Sequence, residues 1–470
     1  MAKTSVSIPL VGPTYTNRSL PVNSQVTQNF YLELNQEGGE PASLQPFPGL
    51  KPFANTTDGG PDRGFGAHLG VFYKITGTSL YSITSGGVTS NKGTIPGSGR
   101  CKLESDGINL VITNDENKPL TWSGTVLTQG LDIDLPNAAT VAYINRRVVY
   151  DAAGASIAFA DLDNAISVSS NNVTTVDTTP SNILAVTAKD QQIFAFSSDA
   201  VTPFYNSGVG NPPYDIIQNG VSDIGLKAIH SIGKNKDFIY FLGSDLVPYR
   251  IGGLQAQPIG NPAIGQEIAS YTNPEDAIGF CFTLDNQNFY YLSFPNNRSW
   301  LYNENLGWTN LAFGGDKAPH LMNSYINIYD RHLVADRRDG NVYELDFDTF
   351  DDNGSTIIHQ RDTVQVDGKT FGKPGARVFM SKLKLKVEMG TSLITGQGSD
   401  AEVIMSYSDD FGNTFSSERR AKIGKQGEYK NIVEWFLLGE FYSRIFRFTM
   451  SDPVRWSLVA LYGDVELDNG

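Results

Sequence analysis

Histidine and cysteine, the residues that most often hold metals or attack substrates, are scarce here. Five histidines and two cysteines stand among 470 residues. His68, His230, His320, His332 and His359 do not cluster, and neither an H-E-x-x-H nor an H-x-H occurs. A structural or surface role is expected for each of them. Cys101 and Cys281 fit no metal spacing, which leaves two buried thiols or one disulfide open. Charge is thin as well, at 18% of residues, which is low for a helical protein. Positive charge is thinner still: the formal net charge is −14, with a pI near 4.8. A broad phosphate-binding surface is therefore excluded, because affinity for duplex DNA comes mainly from Lys and Arg displacing counterions. An acidic surface repels DNA and suits a smooth conduit better than a binding site. No apolar run approaches membrane-spanning length, and the start, MAKTSVSIP, lacks the apolar stretch of a secretory signal. A soluble protein made in a cytoplasm is expected. No G-x-S-x-G elbow is present. Gly368-Lys369-Thr370 ends like a phosphate loop, but Thr363 stands where its first glycine belongs. Neither a cofactor site nor enzymatic activity is expected.

What the chain does have is turn formers and aromatics. There are 47 Gly, 23 Pro, 21 Tyr and 26 Phe, with 40% hydrophobic residues overall. That mixture fits many short strands joined by turns. From about Gly64 onward, alternating apolar segments recur in hairpins: Leu69–Ile75 with Ser79–Thr84, then Asn109–Asn114 with Pro119–Ser123. Triplets follow at Ile183–Tyr205, Lys227–Ile251, Ala277–Asn303 and Tyr325–Asp346. The repeat runs at roughly 40 to 50 residues, the blade period of β-propellers, without a WD or kelch signature. One helix is expected over Ala263–Tyr271, where Ile264, Ile268 and Tyr271 share a face.

The expected architecture is all-β. It comprises an extended N-terminal arm (residues 1–60), an irregular β-propeller (61–365) and a C-terminal β-sandwich-like domain (366–470). The arm is rich in Pro, Asn and Gly and has little capacity for a core of its own. In the last domain Leu383, Leu385 and Val387 alternate with Lys382, Lys384 and Lys386 along one strand.

The stretch from His332 to Gly354, HLVADRRDGNVYELDFDTFDDNG, reads as strand, turn, strand and acidic loop. Gly340 is the turn residue free to take a positive φ. Asp346, Asp348, Asp351 and Asp352 could hold Ca²⁺ but miss the EF-hand pattern, and a solvated acidic turn explains them as well. The lysine stripe suits either an acidic partner subunit or a solvated sheet face. Lys382, Lys384, Lys386, Asp348, Asp351 and Asp352 are thus the candidate partner-facing residues; no catalytic, cofactor-binding or metal residue is assigned. Ser408–Phe415 (SDDFGNTF) matches an Asp-box, in which the Asp accepts backbone N–H bonds across a hairpin turn. Such boxes occur in sialidase-like propellers. A carbohydrate-binding or glycosidase role is the alternative this motif keeps open.

The LVADRRDGNVYELDFDTFDDNG block resembles one found in phage tail proteins of the packaged-DNA stabilisation family, the hub or nozzle proteins of short-tailed phages. Arg18-Ser19-Leu20-Pro21-Val22-Asn23, Asn29-Phe30-Tyr31 and Pro48-Gly49-Leu50 resemble the family's opening. SWLYNENLGWTNL and the ending FRFTMSDPVRWSLVALYGDVEL share its look. The resemblance implies a virion tail component assembled in the host cytoplasm. Such proteins form a ring, usually a hexamer, below the portal and adaptor, which extends the DNA channel and helps retain packaged DNA. The implied partners are further copies of the chain, the head-to-tail adaptor, a tail needle or plug, and a tailspike or fibre. DNA would pass through without sequence-specific binding.

Overall fold

The computed structural model describes residues 4–35, 39–178 and 180–468. The chain separates into two compact units. One joins Pro52–Pro295 to Leu321–Leu345; the other joins Met1–Lys51, Asn296–His320 and Asp346–Gly470.

The first unit is a propeller. Asp62–His68, Val71–Thr76, Ser79–Ile83 and Thr89–Thr94 form an antiparallel four-stranded sheet in sequence order. Four more such sheets begin at Lys102, Val141, Ile183 and Gly233. The hairpin Ile278–Leu284 with Gln287–Ser293 comes next, and then Met322–Ile328, Arg331–Asp336 and Asn341–Asp346. That makes seven blade positions, and Met322–Ile328 packs back against Asp62–His68 to close the ring.

Apolar layers lie between successive blades. Ile75, Leu110, Ile112 and Trp122 fill one, and Phe194, Phe196, Phe241 and Ile251 another. A central blade strand is covered on both faces. Leu110–Thr113 is accordingly buried at every residue, and no alternation survives in it.

A further tie across the closure runs through Gly340. Thr56 N–H donates to the Gly340 carbonyl at 3.0 Å, and Asn55 Nδ2 donates to Asn341 Oδ1 at 2.5 Å. Gly340 is not in the left-handed region. A Cβ at this position would instead collide with the Thr56 carbonyl oxygen. The glycine is needed for close approach, which corrects the conformational reason expected from sequence.

The helix forms over Pro262–Ala269, with Asn261 Oδ1 accepting from Ile264 N–H and with Ile264 and Ile268 buried. Lys227–Ile232, expected as a strand, instead contains the 3₁₀ turn Ile229–Ser231. Cys101 and Cys281 are both free thiols.

The second unit is a two-sheet sandwich. One sheet orders Phe30–Leu34, Ala42–Pro46, Leu458–Leu467, Val378–Val387 and Val433–Phe441, and Thr4–Ile8 pairs with Leu458–Leu467. The other sheet runs from Ser299–Asn303 and Gly307–Phe313 through Ser24–Gln28 and His359–Asp362. It continues to Ser443–Met450, Glu402–Ser408 and Arg419–Lys422. Leu383, Leu385, Trp435 and Leu461 of the first sheet face Val403, Met405, Phe446 and Phe448 of the second in one core. The arm's Ile8, Leu10, Phe30 and Leu44 lie in that same core.

Arg361, with no exposed surface, ties the arm down. Its Nε donates to the Leu10 carbonyl at 2.6 Å, Nη1 to Thr27 Oγ1 at 2.7 Å and Nη2 to Gln25 Oε1 at 2.9 Å. Burial lowers its pKa to about 10, while the neighbouring Asp362 opposes the shift.

Candidate functional site: the lysine strand and the acidic loop

The strand Val378–Val387 carries the lysine stripe where its alternation predicts. Leu383, Leu385 and Val387 point into the sandwich core, and Lys384 and Lys386 are exposed. Two of the three ammonium groups are already matched within the chain. Lys382 Nζ lies 2.7 Å from Glu434 Oε2 and 5.5 Å from the Phe436 ring centre. The bond to Glu434 raises its pKa. Lys386 Nζ lies 3.4 Å from Glu40 Oε1. Glu40 is held low mainly by the Tyr462 hydroxyl, with Lys386 adding to the effect. Among the described residues, Lys384 has no carboxylate within ion-pair distance. Its charge is the one this strand leaves for solvent or a partner.

The acidic loop resolves into four separate environments. Asp346 pairs with Lys51 at 3.0 Å and accepts from Asp348 N–H at 3.1 Å. Asp348 is exposed. Asp351 is half-buried, and its Oδ1 accepts from Gly354 N–H at 2.6 Å across a turn through Asn353 and Gly354, both with positive φ.

Asp352 departs from the expectation of a partner-facing group. It is only 2% exposed. Its carboxylate faces inward, 3.9 Å from the equally buried His320 Nε2. Burial, with the Asp351 charge adding to it, pushes its pKa up to about 8. The physical reason is register. Asp352 pairs alongside Leu50 in a short parallel bridge, so its side chain turns to the face opposite that of Asp351. Among the described residues, no group of three or more His, Cys, Asp or Glu is placed to hold a metal ion.

The Asp-box is a turn device. Asp410 Oδ1 accepts from the Ser408 hydroxyl at 2.7 Å and from Thr414 N–H at 2.8 Å, and Oδ2 accepts from the Thr414 hydroxyl at 2.6 Å. These bonds, those to Thr414 first, lower its pKa to about 2. Phe415 stacks under the Arg447 guanidinium at 3.5 Å, and Arg447 in turn holds Asp362 at 2.8 Å. Asp409 receives two bonds from Arg444, at 2.6 and 2.7 Å. The two acids of the box, Asp409 and Asp410, are thus occupied by the fold itself rather than left as a free carboxylate pair. Gly368-Lys369-Thr370 forms a 3₁₀ turn capped by Asp367, and it makes no phosphate cradle.

Two family models account for nearly the whole chain in order. Residues 6–350 match the model described as bacteriophage P22 Gp10, beta-propeller. Residues 363–466 match the one described as bacteriophage P22 Gp10, beta-sandwich. The chain belongs to the bacteriophage P22 Gp10 family. Gp10-family chains are phage tail structural proteins that stabilise packaged DNA, so this one is a component of a virion tail. The propeller and sandwich of the family are both present in the structure. Among the described residues no helix is long and apolar enough to cross a membrane.

A direct comparison with curated proteins finds no match. Solved structures similar to this Gp10-family chain include the computationally designed Ika8 protein. It is 9% identical, with a TM-score of 0.43, over 63% of this chain and 99% of that one. BamB from Moraxella catarrhalis is 10% identical, with a TM-score of 0.40, over 73% and 99%. The Pan2 WD40 domain of Neurospora crassa is 7% identical, with a TM-score of 0.38, over 61% and 89%.

Sequence reasoning missed Arg361, the hub of the arm's attachment. A lone arginine in HQRD carries no local signal, because its acceptors Leu10, Gln25 and Thr27 are more than 330 residues away.

Proposed function

We propose that this chain is a structural ring component of a short-tailed phage tail. It forms a hub or nozzle below the portal and adaptor that extends the DNA channel and helps retain packaged DNA. The observation that carries this reading is family membership through both domains in order. The net charge of −14 supports it, since an acidic wall repels DNA and lets it slide out without adhering. The role is steric and mechanical, with no reaction to catalyse.

The ring is a homo-oligomer, in the family's manner a hexamer, assembled in the host cytoplasm. Its other partners are the adaptor, a needle or plug, and a tailspike or fibre. Lys384, Asp348 and Asp351 are the partner-facing residues in this reading, and Lys382 and Lys386 join them if Glu434 and Glu40 exchange partners on assembly. The carbohydrate alternative gains nothing from the Asp-box, whose acids are committed to local bonds.

The test is sedimentation of the purified chain with its adaptor complex, alongside an assay for polysaccharide hydrolysis. A species several times the monomer mass and no glycan cleavage are expected. A chain that stays monomeric with adaptor present and cleaves a polysaccharide would overturn the proposal.

A further inference from the structure

The propeller axis holds a cavity of about 110 Å³. Residues from all seven blade positions line it, which places it where the first strands converge. For a chain with a net charge of −14 its wall is unusual, because Arg100, Lys102 and His230 all border it. Thr187 adds a hydroxyl.

The acids nearby are partly committed, Asp62 keeping a buried Oδ1 without a hydrogen-bond partner. Asp62 Oδ2 accepts from the Ser324 hydroxyl at 2.6 Å and from Asn323 Nδ2 at 2.9 Å. Glu104 Oε1 faces Lys234 Nζ at 3.8 Å. Arg100 spends only Nη2, on the Asn323 carbonyl and the Ser324 hydroxyl. Among the described residues, its Nε and Nη1, the Lys102 ammonium and the His230 ring have no hydrogen-bond partner and no ion pair. Solvent reaches the Lys102 side chain. Protein still surrounds it densely enough that desolvation, reinforced by Lys234 and Arg100, lowers its pKa against the pull of Glu104. His230 is pushed down to about 3 by burial first and then by Arg100 and Lys102. Both shifts mark a confined region in which desolvation and neighbouring cations outweigh the nearby acids, Glu104 beside Lys102 and Asp62 beside Arg100.

We propose that the axial cavity of the propeller is a binding site for a small tetrahedral oxyanion of the phosphate class, held by Arg100, Lys102, His230 and Thr187. The cavity is large enough for one such ion with attendant water, since a single water needs about 10–15 Å³ on the same measure. Arg100 can donate to one oxygen of the ion from Nη1, or from Nε on the other edge of the guanidinium, since Nη2 is already used. Lys102 supplies a second full charge, and the Thr187 hydroxyl donates to a remaining oxygen. A bound dianion relieves the mutual repulsion of Arg100 and Lys102 and favours protonation of His230. The site lies wholly within the propeller unit, and it depends neither on ring assembly nor on the tail reading.

Calorimetric titration of the full chain with inorganic phosphate tests the site. Saturable binding at one ion per chain is expected. Lys102→Gln, which removes a charge without breaking any contact, weakens it at least ~10-fold. Lys236→Gln, at an exposed turn of the same unit, leaves it unchanged. Acetate, with one charge and two oxygens, binds at least ~10-fold more weakly than phosphate. A crystal soaked in selenate shows an anomalous peak on the propeller axis. The proposal is overturned if phosphate gives no saturable heat up to about 20 mM, if Lys102→Gln binds it as well as the parent chain, if acetate binds equally well, or if the selenate peak lies elsewhere.

Discussion

The propeller and the sandwich reach their cores by different routes. In the propeller each strand pairs with its neighbour in sequence; Phe72↔Ile83 and Val149↔Phe159 are examples. In the sandwich the partners come from opposite ends of the chain. Val6 pairs with Gly463, Leu458 with Leu44, and Thr27 with Arg361. The propeller is therefore a sum of local hairpins closed by a small set of long-range contacts, whereas the sandwich joins its local hairpins through long-range pairs. Long-range pairing costs loop-closure entropy before any contact repays it. That cost fits the buried, many-bonded arginine that fastens the sandwich, while the propeller closes through the Thr56–Gly340 backbone bond and the Asp62 bonds to Asn323 and Ser324.

Breaking each fastening separately tests this contrast. The largest effect is expected for Arg361→Ala. It strands the Leu10 carbonyl, Thr27 hydroxyl and Gln25 amide acceptors in a buried site, at a cost of about 3–5 kcal/mol. Hydrogen exchange should accelerate in Ser24–Gln28 and His359–Asp362 but not in the second to fourth blades. Equal acceleration everywhere would mean that the two units unfold as one.

Gly340→Ala comes next. Its methyl meets the Thr56 carbonyl oxygen, and overpacking of this kind costs about 1–3 kcal/mol. Exchange should rise in the Asn341–Asp346 strand and its neighbours, with the sandwich unaffected.

Asp352→Asn is expected to stabilise, and its sign follows from proton linkage. The folded carboxyl titrates at about 8 against an ordinary value of 3.8. Below pH 4 both states hold the proton, so the group contributes no difference. Between about pH 4 and pH 8 the unfolded chain ionises while the folded chain keeps its proton, so this group makes stability fall as pH rises. The asparagine chain escapes that loss. It should gain about 1–2 kcal/mol at pH 8, net of the lost His320 contact, and show little difference at pH 4. Thermal unfolding at the two pH values reads this directly. A gain independent of pH would show that Asp352 is not protonated in the folded chain.

The smallest effect on stability is expected for Lys384→Glu. The side chain is exposed and lacks an acidic partner among the described residues, so Tm should stay within about 1 °C. Association with the adaptor complex should weaken in sedimentation. A variant that assembles normally assigns Lys384 to solvent.

The same contrast explains what could be read from the residues alone. Blade hairpins were legible because strand, turn and return strand are contiguous, as in Arg331–Asp336 with Asn341–Asp346. The lysine alternation in Val378–Val387 was legible for the same reason. The number of blades was not, because the 3₁₀ turn Ile229–Ser231 replaces an expected strand and the last blade borrows its closure from Pro52–Asn55. Asp352 was misplaced because its burial follows from a single bridge to Leu50, some 300 residues earlier. The axial cations escaped notice because Arg100 and Lys102, at the start of one blade, meet His230 of another only when the ring forms.

The central claim is that this chain forms part of a tail ring around the DNA path. Electron cryomicroscopy of the phage particle tests it most directly. The account predicts several copies of the seven-bladed propeller and its sandwich arranged in a closed ring around the channel axis, below the adaptor. Particles in which the chain is absent from the tail, or sits as single copies away from the channel, would contradict it.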